Sequence, residues 1–349
     1  MKGRQVVLGH LFGAEAAALL EDGRLVDLFV EAGAIAPLMP GDICRGTVER
    51  LMKGQGGVFV RLPEGQRGYL RDRSGLTEGQ TLLVQVAGVA DDGKAIPLTG
   101  RILFRGRHLL VTPGAPGINV SRRIRDADVR ADLTALGEAA GAPPDTGMIF
   151  RSLSETAPAD AVASEMRDLL DLSARIAGTR SGPPELLLAA PTPHEQAWME
   201  WSDPEPDGVE EGADSFGRCG ILEAVDALLR PDVALPGGGG AVIEPTRALV
   251  AIDVNTGSDT SPAAALKVNI ALARDLPRQL RLRGLGGQVA IDFAPVPKRD
   301  RATLDQVLRA AFKGESAETS LIGWTTMGLY EINRKRDRIP LHRLAEAAR

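Results

Sequence analysis

Two near-identical segments in the last third of the chain carry acidic residues whose spacing could do chemistry. They read VAIDV and VAIDF and place Asp253 and Asp292 39 positions apart (253 to 292). Each is an apolar run of strand length that ends in a carboxylate. Between them, Ser261 followed by Pro262 favours a helix start. The order strand, helix, strand predicts a right-handed parallel pair whose carboxyl ends, and therefore both aspartates, lie at one edge of a sheet.

Two carboxylates on neighbouring strands, about 4.8 Å apart, would repel each other and raise each other's pKa unless a cation lay between them. Mg²⁺ prefers oxygen ligands and commonly binds one or two carboxylates with water and substrate phosphate. The residues therefore predict a magnesium site at Asp253 and Asp292 that could activate water against a phosphate. Asn255 would point to the same side as Asp253, where it could bond a carboxylate, a metal-bound water or a phosphate. Separate turn or cap roles for the two aspartates are the alternative, and the residues alone favour neither interpretation.

Aromatic residues offer a second kind of chemistry. Phe59 and Tyr69 lie on short β-rich stretches around a glycine-rich turn, where aromatic faces could stack on the bases of a single strand. A pair of half-buried core aromatics fits the same periodicity equally well.

Composition limits the classes of protein. The 349 residues are 44% hydrophobic and 25% charged, as in ordinary globular proteins with several domains. The net charge of −5 argues against a protein that coats nucleic acid indiscriminately. Cys44 and Cys219 are too few for a disulfide framework or a zinc site and are predicted to be buried thiols. Without an apolar run of membrane-spanning length or a signal peptide pattern, the expected location is the cytoplasm.

The elements that must position these residues follow from local patterns. An Asp-Gly turn at 22–23 predicts a hairpin, and the short strands of residues 41–100 predict a small closed barrel. A long helix is expected near Thr156, with the apolar positions of residues 162–176 facing a core. Pro277 lies inside the helix that follows Ser261, so we expect a kink or an early end there. A further helix should bury one face, whose residues are Leu304, Val307, Leu308 and Ala311.

Taken in order, the motifs resemble the ribonuclease E/G family over nearly the whole chain, most weakly in residues 182–235. The motifs are 20–26 (LEDGRLV), 120–124 (VSRRI), 147–152 (GMIFRS), 251–257 (AIDVNTG), Asn269, 278–287 (RQLRLRGLGG), 291–293 (IDF) and 328–336 (GLYEINRKR).

The resemblance implies a multidomain α/β and β fold. An RNase H-like domain would be interrupted by an S1-type OB barrel that binds RNA and by a 5′ sensor, and a DNase I-like catalytic domain would follow. The implied boundaries are 1–40 and 182–240 for the RNase H-like parts, 41–100 for the barrel, 101–181 for the sensor and 241–349 for the catalytic domain.

The function implied by the resemblance is Mg²⁺-dependent hydrolysis of internal phosphodiesters in single-stranded, A/U-rich RNA, with 5′-phosphate and 3′-hydroxyl products. The resemblance implies these roles: Asp253 and Asp292 as metal ligands, assisted catalytically by Asn255; Phe59, Tyr69, Arg122 and Arg123 as RNA-binding residues; and Arg151 with Ser152 as the sensor of a 5′ monophosphate. A guanidinium fork and a hydroxyl suit a phosphate dianion.

Several departures from the family pattern matter. The cysteine pair through which the family shares zinc between protomers is missing, so we expect no zinc-linked tetramer and leave a homodimer open. Residues 256–259 read TGSD where the family commonly has basic residues, and Pro295 replaces a common acidic residue. These changes predict reduced catalytic efficiency.

Two rival functions follow. An RNA-binding or scaffold protein of the same fold, with weak or no cleavage, would explain the changed loop. A metal nuclease acting on DNA is disfavoured, because a stacking barrel together with a 5′-end sensor suits single-stranded RNA.

Overall fold

The computed structural model describes residues 3–52, 56–72, 74–91 and 93–349. The strands are β1 (Arg4–Leu11), β2 (Ala14–Glu21), β3 (Arg24–Val30), β4 (Ile43–Met52), β5 (Gly57–Arg61), β6 (Arg67–Leu70), β7 (Thr81–Val86), β8 (Ile96–Thr99), β9 (Phe104–Arg105), β10 (Leu109–Pro113), β11 (Gly117–Val120), β12 (Thr146–Phe150), β13 (Glu185–Leu188), β14 (Gly208–Glu211), β15 (Asp232–Ala234), β16 (Gly240–Pro245), β17 (Val250–Asn255), β18 (Gly287–Asp292), β19 (Thr319–Trp324) and β20 (Tyr330–Arg334). The α-helices are α1 (Ala127–Ala139), α2 (Ala159–Ala177), α3 (Pro193–Trp201), α4 (Ser215–Arg218), α5 (Ile221–Leu229), α6 (Pro262–Leu282), α7 (Lys298–Ala311) and α8 (Leu341–Ala347).

Contacts divide the chain into two compact units. The first combines Met1–Ile35 with Gly208–Arg349, and the second is Ala36–Asp207. The five residue ranges expected from the sequence are finer than this division and stay a prediction. Strand β13 differs from this expectation. It lies in the 182–240 range, which was assigned to the RNase H-like part, but it pairs with β4 of the second unit.

The first sheet of the first unit has the strand order β14-β1-β2-β3. The predicted hairpin is confirmed, because Asp22 and Gly23, both at positive φ, join β2 to β3. Phe12 and Gly13 form a second two-residue turn that joins β1 to β2. The chain therefore begins with three strands rather than two, and α5 packs on their apolar face.

The second sheet of this unit has the order β15-β16-β17-β18-β20-β19 and carries both aspartates. Only β17 and β18 of its described strands pair in parallel, joined by α6. The predicted strand-helix-strand unit is confirmed. Ser261 caps α6, since its Oγ accepts a hydrogen bond from the Ala264 amide at 3.2 Å.

Pro277 does not end α6, which continues to Leu282, so the expectation of an early end is wrong. Leu272, Leu276 and Leu280 are completely buried in the core beneath the sheet. Burial of three leucines offsets the loss of about 3 kcal/mol that proline causes inside a helix.

In the second unit, β4, β5, β6, β8 and β7 pair in sequence, and β4 pairs with β7 to close the sheet. The predicted closed barrel is confirmed, and it is consistent with an S1 or OB type. The interior is apolar and includes Val58, Val60 and Val84. RNase H-like and DNase I-like arrangements of the other sheets remain predictions.

The second unit also contains a four-stranded sheet, β11-β12-β10-β9, covered by α1 and α2. The long predicted helix is α2, which begins just after Pro158. Its apolar face is buried as expected; the residues are Val162, Met166, Leu169 and Ile176. Among the described residues, no helix combines the length and apolar character needed to cross a bilayer.

Candidate functional site

Asp253 and Asp292 lie directly opposite each other in the register of the parallel pair β17–β18. Because the register also pairs Ile252 with Ile291, whose side chains are buried, the two aspartates fall on the opposite, exposed face of the sheet. Side chains alternate between the two faces of a strand, so burial of the isoleucines places the aspartates on the exposed face. The two carboxylates predicted to meet at one sheet edge therefore do lie side by side.

Asn255 points to the same face and contacts Asp253. Its Nδ2 donates a hydrogen bond of 2.6 Å to Asp253 Oδ2. The carboxylate is one of the three partners open to Asn255 from the sequence. This bond orients one aspartate and leaves its other oxygen turned to solvent or ligand.

The donor set suits a hard cation. Within the described residues there is no cluster of three or more histidine, cysteine, aspartate or glutamate side chains that could hold a metal. Mg²⁺ nevertheless usually binds through only one or two carboxylates, and water and substrate phosphate complete its coordination shell. Asp253 and Asp292 supply two such carboxylates, adjacent and exposed. The residues present therefore fit magnesium. They fit poorly a metal that needs to be enclosed by protein ligands.

The loop that follows Asp292 is held by α6. Asn269 is completely buried, donates from Nδ2 to the Ala294 carbonyl at 2.8 Å and accepts the Ala294 amide on Oδ1 at 3.0 Å. Asn269 is one of the residues that carry the family resemblance, and the sequence alone assigned it no role. Its contacts fix the backbone just after the second aspartate.

A cavity of about 220 Å³ opens beyond the end of β17. Its lining includes Gly237, Gly239, Thr256, Asp259 and Lys267. The Lys267 ammonium lies over Gly237, 3.4 Å from where a Cβ would stand. None of the ion pairs formed by described residues involves Lys267. Sequence reasoning missed this residue, although the run of four glycines at 237–240 could have indicated a close backbone approach.

Several arginines of the basic runs are structural. Arg338 bonds Asp27 at 2.5 Å, and Arg281 bonds both Glu315 and the Val26 carbonyl. Burial alone would raise the pKa of Asp27, but the Arg338 and Arg281 guanidinium groups hold that pKa below its usual value. These cations are occupied inside the first unit and do not form an open RNA-binding face.

Phe59 and Tyr69 are paired neighbours on β5 and β6, with ring centroids 5.7 Å apart. Both are half-buried on the outside of the barrel, while Val58 and Val60 on either side of Phe59 point inward. Gly57 makes room for the Tyr69 ring, because a Cβ there would come within 2.4 Å of its hydroxyl. The two rings are half-buried against each other, as the alternative interpretation expects, but they lie outside the apolar interior of the barrel.

Arg122 and Arg123 lie in an exposed turn after β11. The buried side chain of Ile124 anchors the turn. None of the ion pairs that the described residues form includes Arg122 or Arg123, so both guanidinium groups are open to an anion.

Arg151 and Ser152 follow β12 and are already bonded. Arg151 donates to the Gly106 carbonyl at 2.9 Å and to Glu200 Oε2 at 3.0 Å. Ser152 Oγ lies 2.7 Å from Asp203 Oδ2. The sequence indicated the two donors but did not link them to their acidic partners, Glu200 and Asp203.

The cysteines differ in exposure. Cys44 is buried as expected, and burial together with the nearby Asp42 raises the pKa of its thiol to about 12. Cys219 is only half-buried, so the prediction of two buried thiols is wrong for this residue. It directly follows α4 as the residue that caps the helix.

Comparison with known proteins agrees with the motif order. The model of the ribonuclease E/G family matches residues 104–207 and 196–337. The chain belongs to the ribonuclease E/G family.

Curated relatives cover nearly all of the chain at low identity. Ribonuclease E of Synechocystis sp. is 29% identical over 98% of this chain and 58% of its own length, and that of Nostoc sp. is 28% identical over 92% and 54%. Ribonuclease G of Escherichia coli K12 is 26% identical over 92% of this chain and 77% of its own length. The chain spans a little over half the length of the two ribonuclease E relatives.

Proposed function

We propose that this chain is a magnesium-dependent endoribonuclease that hydrolyses internal phosphodiesters of single-stranded RNA. The observation that carries the proposal is the register pairing of Asp253 with Asp292 on one exposed face. Family membership supports the same activity. A cytoplasmic location and a homodimer remain predictions.

Asp253 and Asp292 would hold the ion. When bound, Mg²⁺ would lower the pKa of a water ligand and neutralise charge on the attacked phosphate. Asn255 keeps the Asp253 carboxylate in one orientation through its 2.6 Å hydrogen bond, and Asn269 keeps the loop after Asp292 in place. Water would add to phosphorus as the bond to O3′ breaks, and a proton from that water would pass to O3′. One product would then keep the 5′ phosphate and the other would leave with a 3′ hydroxyl.

Binding of the RNA strand would use the barrel and the basic turn. The outward rings of Phe59 and Tyr69 offer faces for base stacking, which tolerates any sequence. Arg122 and Arg123 offer unpaired guanidinium groups to the phosphates. Arg151 and Ser152 would bind a 5′ monophosphate, because a guanidinium fork and a hydroxyl can both donate to phosphate oxygens.

The test is cleavage of a 5′-monophosphorylated, A/U-rich oligoribonucleotide with Mg²⁺ and with EDTA. We expect internal cuts that EDTA abolishes. Asp253→Asn and Asp292→Asn should each reduce cleavage at least about 100-fold, because several kcal/mol of transition-state stabilisation are lost. Both variants should fold and bind the oligonucleotide as the parent does, since the carboxylates are exposed.

The scaffold function is the second candidate, and the loop of residues 256–259 is the feature that favours it. Tight RNA binding without Mg²⁺-dependent cutting would support it and refute the nuclease. A matched DNA oligonucleotide tests the third function, and we expect it to be bound weakly and left intact.

A further inference from the structure

Both groups proposed to bind a 5′ phosphate are bonded to carboxylates from one short segment. Arg151 Nη2 donates to Glu200 at 3.0 Å, and Ser152 Oγ lies 2.7 Å from the Asp203 carboxylate. Arg105 adds a longer contact, with its Nη1 3.9 Å from Glu200 Oε1. Glu200 is on α3, and Asp203 lies two residues beyond the end of that helix.

These carboxylates satisfy the same donors that a phosphate would. A guanidinium fork and a hydroxyl are the groups that bind phosphate oxygens, and carboxylate oxygens accept from them in the same way. A phosphate with about −1.5 to −2 charges would meet repulsion from Glu200 and Asp203 if they stayed in place. Phosphate and carboxylates therefore compete for Arg151 and Ser152.

The contact is weak enough to open. The side chains of Arg151 and Glu200 are 22% and 34% exposed, so water screens their attraction. An ion pair of this exposure changes an equilibrium by a factor of about five or less. Arg151 keeps its bond to the Gly106 carbonyl when Glu200 leaves, and its position does not depend on the acid.

We propose that Glu200 and Asp203 form an acidic latch that occupies the 5′-phosphate pocket at rest. The inference rests on the proposed 5′-end sensing. A 5′ monophosphate must displace both carboxylates, while a 5′ hydroxyl leaves the latch closed. The latch lowers the affinity for phosphorylated ends and sets how strongly the protein prefers them.

The test uses Glu200→Gln, Asp203→Asn and the double variant, each compared with the parent. Binding of one A/U-rich oligoribonucleotide with a 5′ phosphate or a 5′ hydroxyl is measured by fluorescence anisotropy in EDTA, so the result does not depend on cleavage. We expect the double variant to raise the preference for the phosphorylated end by up to about five-fold. Affinity for the hydroxyl end should stay unchanged.

Two controls make the result specific. Glu205→Gln removes one negative charge two positions after Asp203, and Glu205 is an exposed residue outside the contacts with Arg151 and Ser152. It should leave the preference unchanged. Adding Arg151→Ala to the double variant should abolish the gain.

An unchanged or reduced preference in the double variant would overturn the latch, and a reduced one would show that the acids hold the donors ready for phosphate. An equal gain from Glu205→Gln would also overturn it, since general charge would then explain the effect. Failure of the proposed 5′-end sensing is seen separately, because the parent would then bind the phosphate and hydroxyl ends equally. Failure of the nuclease proposal is seen as an absence of Mg²⁺-dependent cutting.

Discussion

Asn269 makes two hydrogen bonds to the backbone of Ala294. Its side-chain Nδ2 donates to the Ala294 carbonyl at 2.8 Å, and its Oδ1 accepts from the Ala294 amide at 3.0 Å. The two bonds join the middle of α6 to the second residue after Asp292. Asn269 is thus a positioning residue for the second aspartate, and its complete burial makes the contact sensitive to substitution.

Asn269→Ala should lower the free energy of unfolding by about 2 to 4 kcal/mol, because it leaves a buried amide and a buried carbonyl of Ala294 without partners. Urea denaturation measures this. Asn333→Ala, at an exposed position on β20, is the matched control and should change stability by less than about 0.5 kcal/mol. Equal stability of the two variants would contradict the role assigned to Asn269.

Asp27→Asn should destabilise the first unit at neutral pH by about 3 kcal/mol, since Arg338 loses its charged partner. The pKa of Asp27 is below its usual value in the folded protein, so the ion pair contributes fully above the unfolded pKa, about 3.9, and is lost as the pH falls through the folded value. The difference between parent and variant should therefore be large at pH 7 and shrink below about pH 4.

Urea unfolding at several pH values measures this difference. Glu318→Gln serves as a control that removes a carboxylate not paired with arginine among the described contacts. A gap between parent and Asp27→Asn that stays constant from pH 7 to pH 3 would show that the stabilisation is not ionic.

Phe59→Ala and Tyr69→Ala should each weaken RNA binding by about 1 to 3 kcal/mol, the usual contribution of one base stacked on an aromatic ring. Both rings lie outside the barrel core, so binding should fall more than stability. Tyr69→Phe keeps the ring and should bind nearly as the parent does. If the variants lost as much stability as RNA affinity, the result would show that the two rings are structural and do not bind bases.

Lys267→Ala should weaken RNA binding and reduce the slope of log Kd against log salt concentration by about 0.7, the value for one phosphate contact on a single strand. The physical reason is the unpaired ammonium in the cavity beyond β17. Lys313→Ala removes an exposed lysine outside this cavity and should leave the slope unchanged. The same slope for Lys267→Ala and the parent would show that the cavity binds no phosphate.

The sequence by itself determined the local elements that carry the site. Alternating or continuous apolar runs, the Ser261 cap and the Asp-Gly turn specify strands, a helix start and a hairpin through contacts between near neighbours in the chain. The repeated VAID segments were enough to predict two strands that end in acids. Motif order was enough to indicate the family.

Only the tertiary structure decided how distant residues meet. Strand register, which aligns Asp253 with Asp292, depends on burial of Ile252 and Ile291 against the shared core. Nothing in the local pattern links Arg151 to Glu200, 49 positions away, or Arg338 to Asp27, 311 away. Such pairings form because folding brings the segments together, and charge alone does not show in advance whether a cation will face RNA or a carboxylate of its own chain.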